Sequence, residues 1–268
     1  MSFKISVLMS VFDEKNNFLE EAINSILQQT FTDFEFIIID DRTNIENKKI
    51  LNFYQKKDQR IKIINNNKNL GLTRSLNKGI YQSNGLYLAR MDSDDVALPD
   101  RLKKQYEFLK KNNSYIGCGT LVSFMDEKNK IINKKNHPTS YKDITKSILR
   151  YNPFIHPTLM IKKNILLSLG GYDENFYFAQ DYDLVLRILS KYKMTNIKEK
   201  LLCYRVNING LSHQNMRKSL KFALWARWRA LMEKNYPLWK IIYLIKPAFS
   251  LLIPENIKII LLKKIYSK

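Results

Sequence analysis

Leu86-Tyr87-Leu88-Ala89-Arg90-Met91-Asp92-Ser93-Asp94-Asp95 decides how this chain is read. The first six residues make a short strand and the last four an acidic turn. Upstream, Phe34–Ile39 is apolar except for Glu35 and ends as abruptly in Asp40-Asp41. Ile5–Phe12 is a third apolar run rich in β formers, and Ile61–Ile64 a fourth. Between them lie helical spacings: Leu19, Ala22, Ile23, Ile26 and Leu27 within Asn17–Thr30, and a helix beginning at Thr73–Gly79. Strands alternating with helices, the strands mostly apolar, imply a mostly parallel sheet covered on both faces. Ligands of such sheets gather at the carboxyl ends of the strands. One acidic pair after a strand is common turn chemistry; two at the ends of strands in one sheet point to a site.

Asp92 and Asp94, one residue apart on a turn, can offer hard oxygens to a single Mg²⁺ or Mn²⁺ and leave positions open for phosphate oxygens. Such a metal neutralises charge on a departing diphosphate. Further along, Pro99 is expected at the first position of a helix carrying Leu102, Tyr106 and Leu109. Ser140 and Asp143 have the spacing of a capping box. Ile165–Leu169 stops at Gly170-Gly171, and Asp181–Tyr192 forms another helix.

The 268 residues suit one large domain or a domain with an appendage. Hydrophobic residues at 45% and charged residues at 26% exclude a disordered chain. Lys and Arg number 45 against 25 Asp and Glu, a formal net charge of +20, so an anionic partner is expected: nucleic acid, a phosphorylated small molecule or an acidic membrane. Cys118 and Cys203 have no metal-site spacing and read as reduced cytosolic thiols. The N-terminal residues lack the apolar length of a signal peptide, and no window reaches the roughly 18 apolar residues of a spanning helix. Cytoplasmic residence, with peripheral attachment at the inner face of the membrane, is the expectation.

Composition shifts near residue 214. From there to Lys268 stand 12 Lys and Arg, two acids, and all three tryptophans, Trp225, Trp228 and Trp239. Leu224, Trp228 and Leu231 fall on one helical face, with Arg217, Lys221, Arg227 and Arg229 supplying charge. This reads as a basic amphipathic tail for an anionic membrane surface. Its apolar faces could instead pack on the catalytic domain or on a second subunit of a homo-oligomer.

The ordered motifs resemble bacterial family 2 glycosyltransferases of the GT-A fold. They are Ser6-Val7, Phe36–Asp41, Asn69–Gly79 with Arg74 and Asn77, Leu88–Asp95, His156–Met160, Gly170–Asp173 and Gln180–Arg187. The resemblance spans about residues 3–213. It implies an α/β GT-A catalytic domain over 1–213, with a nucleotide-sugar half to about 98, an acceptor half over 99–213, and a helical tail over 214–268. It implies an inverting enzyme that moves a hexose or N-acetylhexosamine from a UDP-sugar to a hydroxyl of a growing lipooligosaccharide, capsule or lipid-linked glycan. The same resemblance implies the residue roles. Val11 lies against the base and Asp41 accepts from it, with Asp40 as a structural alternative. Arg74 lies near base or phosphates. Asp92 contacts ribose or metal, and Asp94 binds metal. Asp181 is the general base, with Gln180 where the family carries Glu. Arg205, Ser212 and His213 stand in a polar loop after Leu201–Tyr204; in the family such a loop closes over the diphosphate, and a His there can join the metal. His156 could orient acceptor or phosphate, or be a satisfied buried histidine.

Two other readings stand beside it. A nucleic-acid-binding protein accounts for the charge, but no helix-turn-helix, RNA-binding aromatic signature or zinc finger is present, and it leaves the acidic turns unexplained. A phosphate-transferring enzyme on a related fold would need a Gly-rich phosphate loop, which the chain lacks. The nucleic-acid partner is accordingly set aside.

Overall fold

Seven-residue strands β1 (Ile5–Val11) and β2 (Phe34–Asp40) are buried almost without interruption, as parallel strands covered on both sides must be. Glu35, the acid in the interior of β2, is satisfied: its carboxylate accepts from Ser6 Oγ at 2.6 Å and from the Asn84 side-chain amide at 3.3 Å. The computed structural model describes residues 3–132, 137–206 and 215–252.

The amino-terminal half interleaves α1 (Asn16–Leu27), α2 (Ile45–Lys57) and α3 (Leu72–Gln82) with β1, β2, β3 (Ile61–Asn65) and β4 (Tyr87–Met91). Then come β5 (Val96–Ala97), α4 (Arg101–Lys111), β6 (Tyr115–Met125), β7 (Ile131–Ile132), α5 (Tyr141–Ser147), β8 (Met160–Lys162), α6 (Lys163–Ser168), α7 (Gln180–Leu189) and β9 (Lys193–Arg205). Among the described residues two more α-helices follow, α8 (Met216–Met232) and α9 (Ile242–Leu252). One mixed sheet runs β3-β2-β1-β4-β8-β6-β9-β5, with β7 on β6. Its long pairings are parallel, and its antiparallel ones span two or three residues each.

Side-chain alternation splits the core between the two sheet faces. Leu8, Ile37 and Ile39 pack with α3, α6 and α7; Val7, Met9, Phe36 and Ile38 pack with α1, α2 and α4. From β1 the chain winds outward to β2 and β3, then returns to place β4 on the other side of β1. That reversal opens a crevice at the carboxyl ends of β1, β2 and β4.

Two expectations are corrected. Pro99 is not the first residue of its helix: α4 starts at Arg101, and the Pro99 carbonyl accepts instead from Thr30 N at 2.9 Å. The helical tail forms, and the inner face of α8 takes the packing alternative, against the catalytic domain. Ala226, Ala230 and Leu231 lie in the same cluster as Leu184 and Ile188 of α7. Arg227, expected among the outward charges, is buried, donating from Nε to Tyr182 Oη at 2.9 Å. Arg229 turns inward to Asp173 and Asp183. The Ser140 cap forms as expected, its Oγ accepting from Asp143 N at 3.1 Å.

Candidate active site

The register between β1 and β2 sets Val11 beside Asp40, so the next residue, Asp41, stands at the crevice. Asp40 accepts from Thr43 N at 2.7 Å and shapes the turn. Asp41 accepts from Leu70 N (2.7 Å) and Asn66 Nδ2 (2.8 Å) on Oδ1, and from Gly71 N (2.9 Å) on Oδ2. It thereby fastens the start of α3, where Gly71 supplies the positive φ of 81° that a side-chain-bearing residue adopts only under strain. One lone pair of Oδ2 remains for a ligand donor. Arg74, in the first turn of α3, is exposed and pairs with Glu174 at 3.2 Å. Val11 is wholly enclosed in the core.

The turn after β4 brings carboxylate oxygens of Asp92, Asp94 and Asp95 within 4.8 Å of one another. Burial, then the charges of Asp92 and Glu14, push the Asp94 carboxyl up to about 7. Asp95 is raised well above the usual carboxylate range by burial and by Asp94. Its Oδ1 accepts from Arg205 N at 2.8 Å, while Oδ2 is buried without a partner. Glu14, after β1, is raised too, by burial first, and it accepts from Ser93 Oγ at 3.2 Å. Crowded, desolvated carboxylates with an orphaned oxygen are a donor set for a hard divalent cation. Asp92 and Asp94 fit that role. Asp95 is committed on one side to the strand beside it.

Arg90 pairs with Asp92 at 2.5 Å, and its Nε and Nη1 are buried without partners. Its charge is also felt at Asp94, Asp95, His156, Tyr172 and Asp181. Its charge thus reaches both the acidic turn and Asp181 in the first turn of α7. There, Asp181 comes two residues after Ala179, a non-glycine residue in the left-handed region (φ 54°). Asp181 accepts from Asn152 Nδ2 at 2.8 Å. Burial raises its pKa; hydrogen bonds from Tyr182 N, Asn152 and its own N–H offset that in part. His156 meets Tyr172 Oη at 2.7 Å and is held neutral, its pKa well lowered by burial and then by Arg90. It is therefore a satisfied histidine. Asp183 is bound by Arg187 and Arg229.

Arg205 requires correction. It is the last residue of β9, not part of a polar loop, and its guanidinium is enclosed. Nε donates to Asp94 O at 2.7 Å, Nη2 to Glu21 at 2.7 Å, and the plane lies 3.9 Å over the Phe18 ring. It braces the acidic turn from behind. Ser212 and His213 lie outside the described residues. Three participants escaped the sequence reading. Arg90 is two strand positions before Asp92, hence on the same face. Glu14 comes after β1 at the same sheet edge as the other acids. Asn152 carried no sequence signal.

A mostly parallel amino-terminal half with a carboxylate triad at the carboxyl edge of its strands is the architecture of a GT-A fold. The family model for Glycosyl transferase family 2 matches residues 6–169, and the chain belongs to that family: it is a glycosyltransferase. An uncharacterised glycosyltransferase of Methanocaldococcus jannaschii is 36% identical, covering 96% of this chain and 92% of its own. The O-antigen biosynthesis glycosyltransferase WbnJ of Escherichia coli is 38% identical over 76% of this chain and 80% of its own. Among solved structures, the mannosyltransferase PcManGT of Pyrobaculum calidifontis, in complex with GDP-Man and Mn²⁺, superposes with a TM-score of 0.67 at 12% identity, covering 95% of this chain and 71% of its own. S. aureus TarS 1-349 in complex with UDP-GlcNAc gives 0.65 at 16% identity, over 83% and 66%. These two share the fold.

Proposed function

We propose that this enzyme transfers a hexose or N-acetylhexosamine from a UDP-sugar, with inversion, to a hydroxyl of a bacterial surface glycan growing on a lipid carrier. Its place of work is the inner face of the cytoplasmic membrane. The observation that carries this reading is the open acidic turn after β4, where carboxylate oxygens of Asp92, Asp94 and Asp95 lie within 4.8 Å of one another and Asp95 Oδ2 has no partner; the Arg90 that pairs with Asp92 also exerts its charge on Asp181. A carboxylate of raised proton affinity is suited to take a hydroxyl proton as the oxygen attacks.

The acceptor oxygen bonds to the anomeric carbon as the bond from that carbon to the diphosphate breaks. The electron pair leaves with UDP, and the hydroxyl proton passes to Asp181. A Mn²⁺ or Mg²⁺ held by Asp92 and Asp94, when bound, supplies counter-charge to the diphosphate. Asp41 meets the uracil with its remaining lone pair, Val11 backs that pocket through the core, and Arg74 exchanges Glu174 for the donor. Relatives named for O-antigen and amylovoran biosynthesis support the surface-glycan assignment.

The test is a donor screen, UDP-glucose, UDP-galactose, UDP-N-acetylglucosamine and GDP-mannose, each with and without Mn²⁺, with the product anomer then assigned. The expected result is Mn²⁺-dependent turnover of one UDP-sugar and, from an α-linked donor, a β-linked product. Exclusive use of GDP-mannose would overturn the nucleotide, and retention would overturn the role of Asp181.

A further inference from the structure

The two C-terminal helices present an apolar face that catalysis does not use. Having buried Ala226, Ala230 and Leu231, α8 turns Trp225 and Trp228 outward, 41% and 48% exposed. Against α9 it leaves a groove of about 450 Å³ whose lining, including Leu224, Ile241 and Ile245, is wholly apolar. Beyond the groove, Trp239 is 63% and Phe249 65% exposed. Scattered apolar side chains need no explanation, but a contiguous face of this kind marks an interaction surface.

Charge selects the occupant. Arg217, Lys218, Lys221, Lys234 and Lys246 supply cations around this face. Lys240 lies 5.7 Å over the Trp239 ring. Among the described residues from α8 onward, the one acid is Glu233, 3.8 Å from Arg229. A second copy would bring the same cations against these. A bilayer bearing anionic headgroups complements them, and Trp is suited to the boundary between headgroup and acyl chain.

The face also adjoins the chemistry. Trp225 stacks on Phe176 with ring centroids 4.3 Å apart and planes 8° from parallel. Phe176 opens the segment that leads through exposed Tyr177 to Asp181. We propose that the Trp225–Trp228–Trp239 face docks on an anionic bilayer and so holds the Asp181 end of the site against a membrane-borne acceptor. The orientation rests on the acceptor reading above; the docking does not.

The experiment is co-sedimentation of the full chain with phosphatidylcholine vesicles, with and without phosphatidylglycerol, at low and high salt. Truncation before α8 is unsuitable, because it removes core side chains. Binding is expected only with phosphatidylglycerol and is weakened by salt. Trp228→Glu with Trp239→Glu should reduce it at least tenfold. Lys218→Glu with Lys221→Glu should reduce it roughly tenfold or more, since basic residues at such a surface are attracted to anionic headgroups. All four positions are exposed, so melting temperatures should stay put. UDP-sugar hydrolysis by these variants should match the wild type, whereas loss of hydrolysis in every protein would strike the catalytic reading and leave docking standing. No binding by the wild type, or binding indifferent to salt and to both variants, overturns docking. So does a concentration-dependent dimer, without vesicles, that Trp228→Glu abolishes.

Discussion

Two acid clusters sit inside this protein, and they are treated oppositely. Under α8, Asp183 is almost fully enclosed, yet Arg187 and Arg229 both reach it, and Arg229 also takes Asp173. Burial raises the Asp183 pKa, and the two guanidiniums pull it back. At the end of β4, Asp92, Asp94 and Asp95 crowd together with Glu14 nearby. Arg90 touches Asp92 there, but Asp95 Oδ2 and two Arg90 donors remain without partners. A buried carboxylate costs free energy unless compensated. The first cluster is compensated from within and serves the fold. The second is left open, and in the metal-free protein only raised proton affinity relieves it.

If that contrast is right, Asp94→Ala should abolish transfer, a loss on the order of 10³-fold corresponding to several kcal/mol of metal-assisted stabilisation. Its melting temperature without metal should equal or exceed the wild type's, because one of several mutually repelling carboxylates is gone. Full activity in excess chelator, or a melting temperature well below the wild type's, would break the comparison at its functional end.

Asp181→Asn retains size and most hydrogen bonding. Transfer should fall by roughly 10²-fold or more, with UDP affinity by calorimetry nearly unchanged. The wild-type rate should decline as pH falls through a pKa above the usual carboxylate range, since burial lifts Asp181. The variant should lose that acidic limb. A collapse of UDP affinity in the variant would make Asp181 part of the donor site instead.

Much of the open cluster was legible. Asp92 and Asp94 stood out because acids end an otherwise apolar strand, and parallel topology sends such ends to the crevice. The strands themselves were legible because burial on both faces leaves almost no polar residue inside them. The closed cluster was not legible, and the reason is physical. Arg227 and Arg229 fall where a charged helix face was expected, and composition reads any arginine as solvent-facing. Their partners, Tyr182 and Asp183, are some 45 residues away in sequence. Arg205 was misplaced because the strand runs one residue further than its apolar run, and its guanidinium packs on Phe18 and Glu21 from the other end of the chain. Arg90 could have been found by strand alternation alone.

The closed cluster should fail as structure. Asp183→Asn leaves Arg187 and Arg229 facing a neutral amide. Breaking a fully buried pair costs about 3–5 kcal/mol; with Arg229 22% exposed, about 2–3 kcal/mol is expected. At roughly 2–4 °C per kcal/mol for a chain of this size, melting should drop by about 4–12 °C. Turnover per folded molecule should survive. A variant as stable as the wild type would remove the distinction between the two clusters.

The pH dependence of stability is the most direct reading of the open cluster. Asp94 titrates near 3.8 in the unfolded chain and at about 7 when folded. Between those values the folded protein holds the extra proton, so this group's contribution to stability falls as pH rises from about 4 to about 7 and levels off above. The urea midpoint of the metal-free protein should show that decline. Asp94→Asn removes the titrating group and one of the charges that raises Asp95, so its curve should be flatter. Mn²⁺ binds the deprotonated form, so its stabilisation should grow with pH over the same window. Asp183→Asn should instead lie below the wild type across the neutral range, with or without Mn²⁺. A midpoint that rises from pH 4 to pH 7 in metal-free wild type would show that the acids after β4 are already compensated, and that the open cluster is not open.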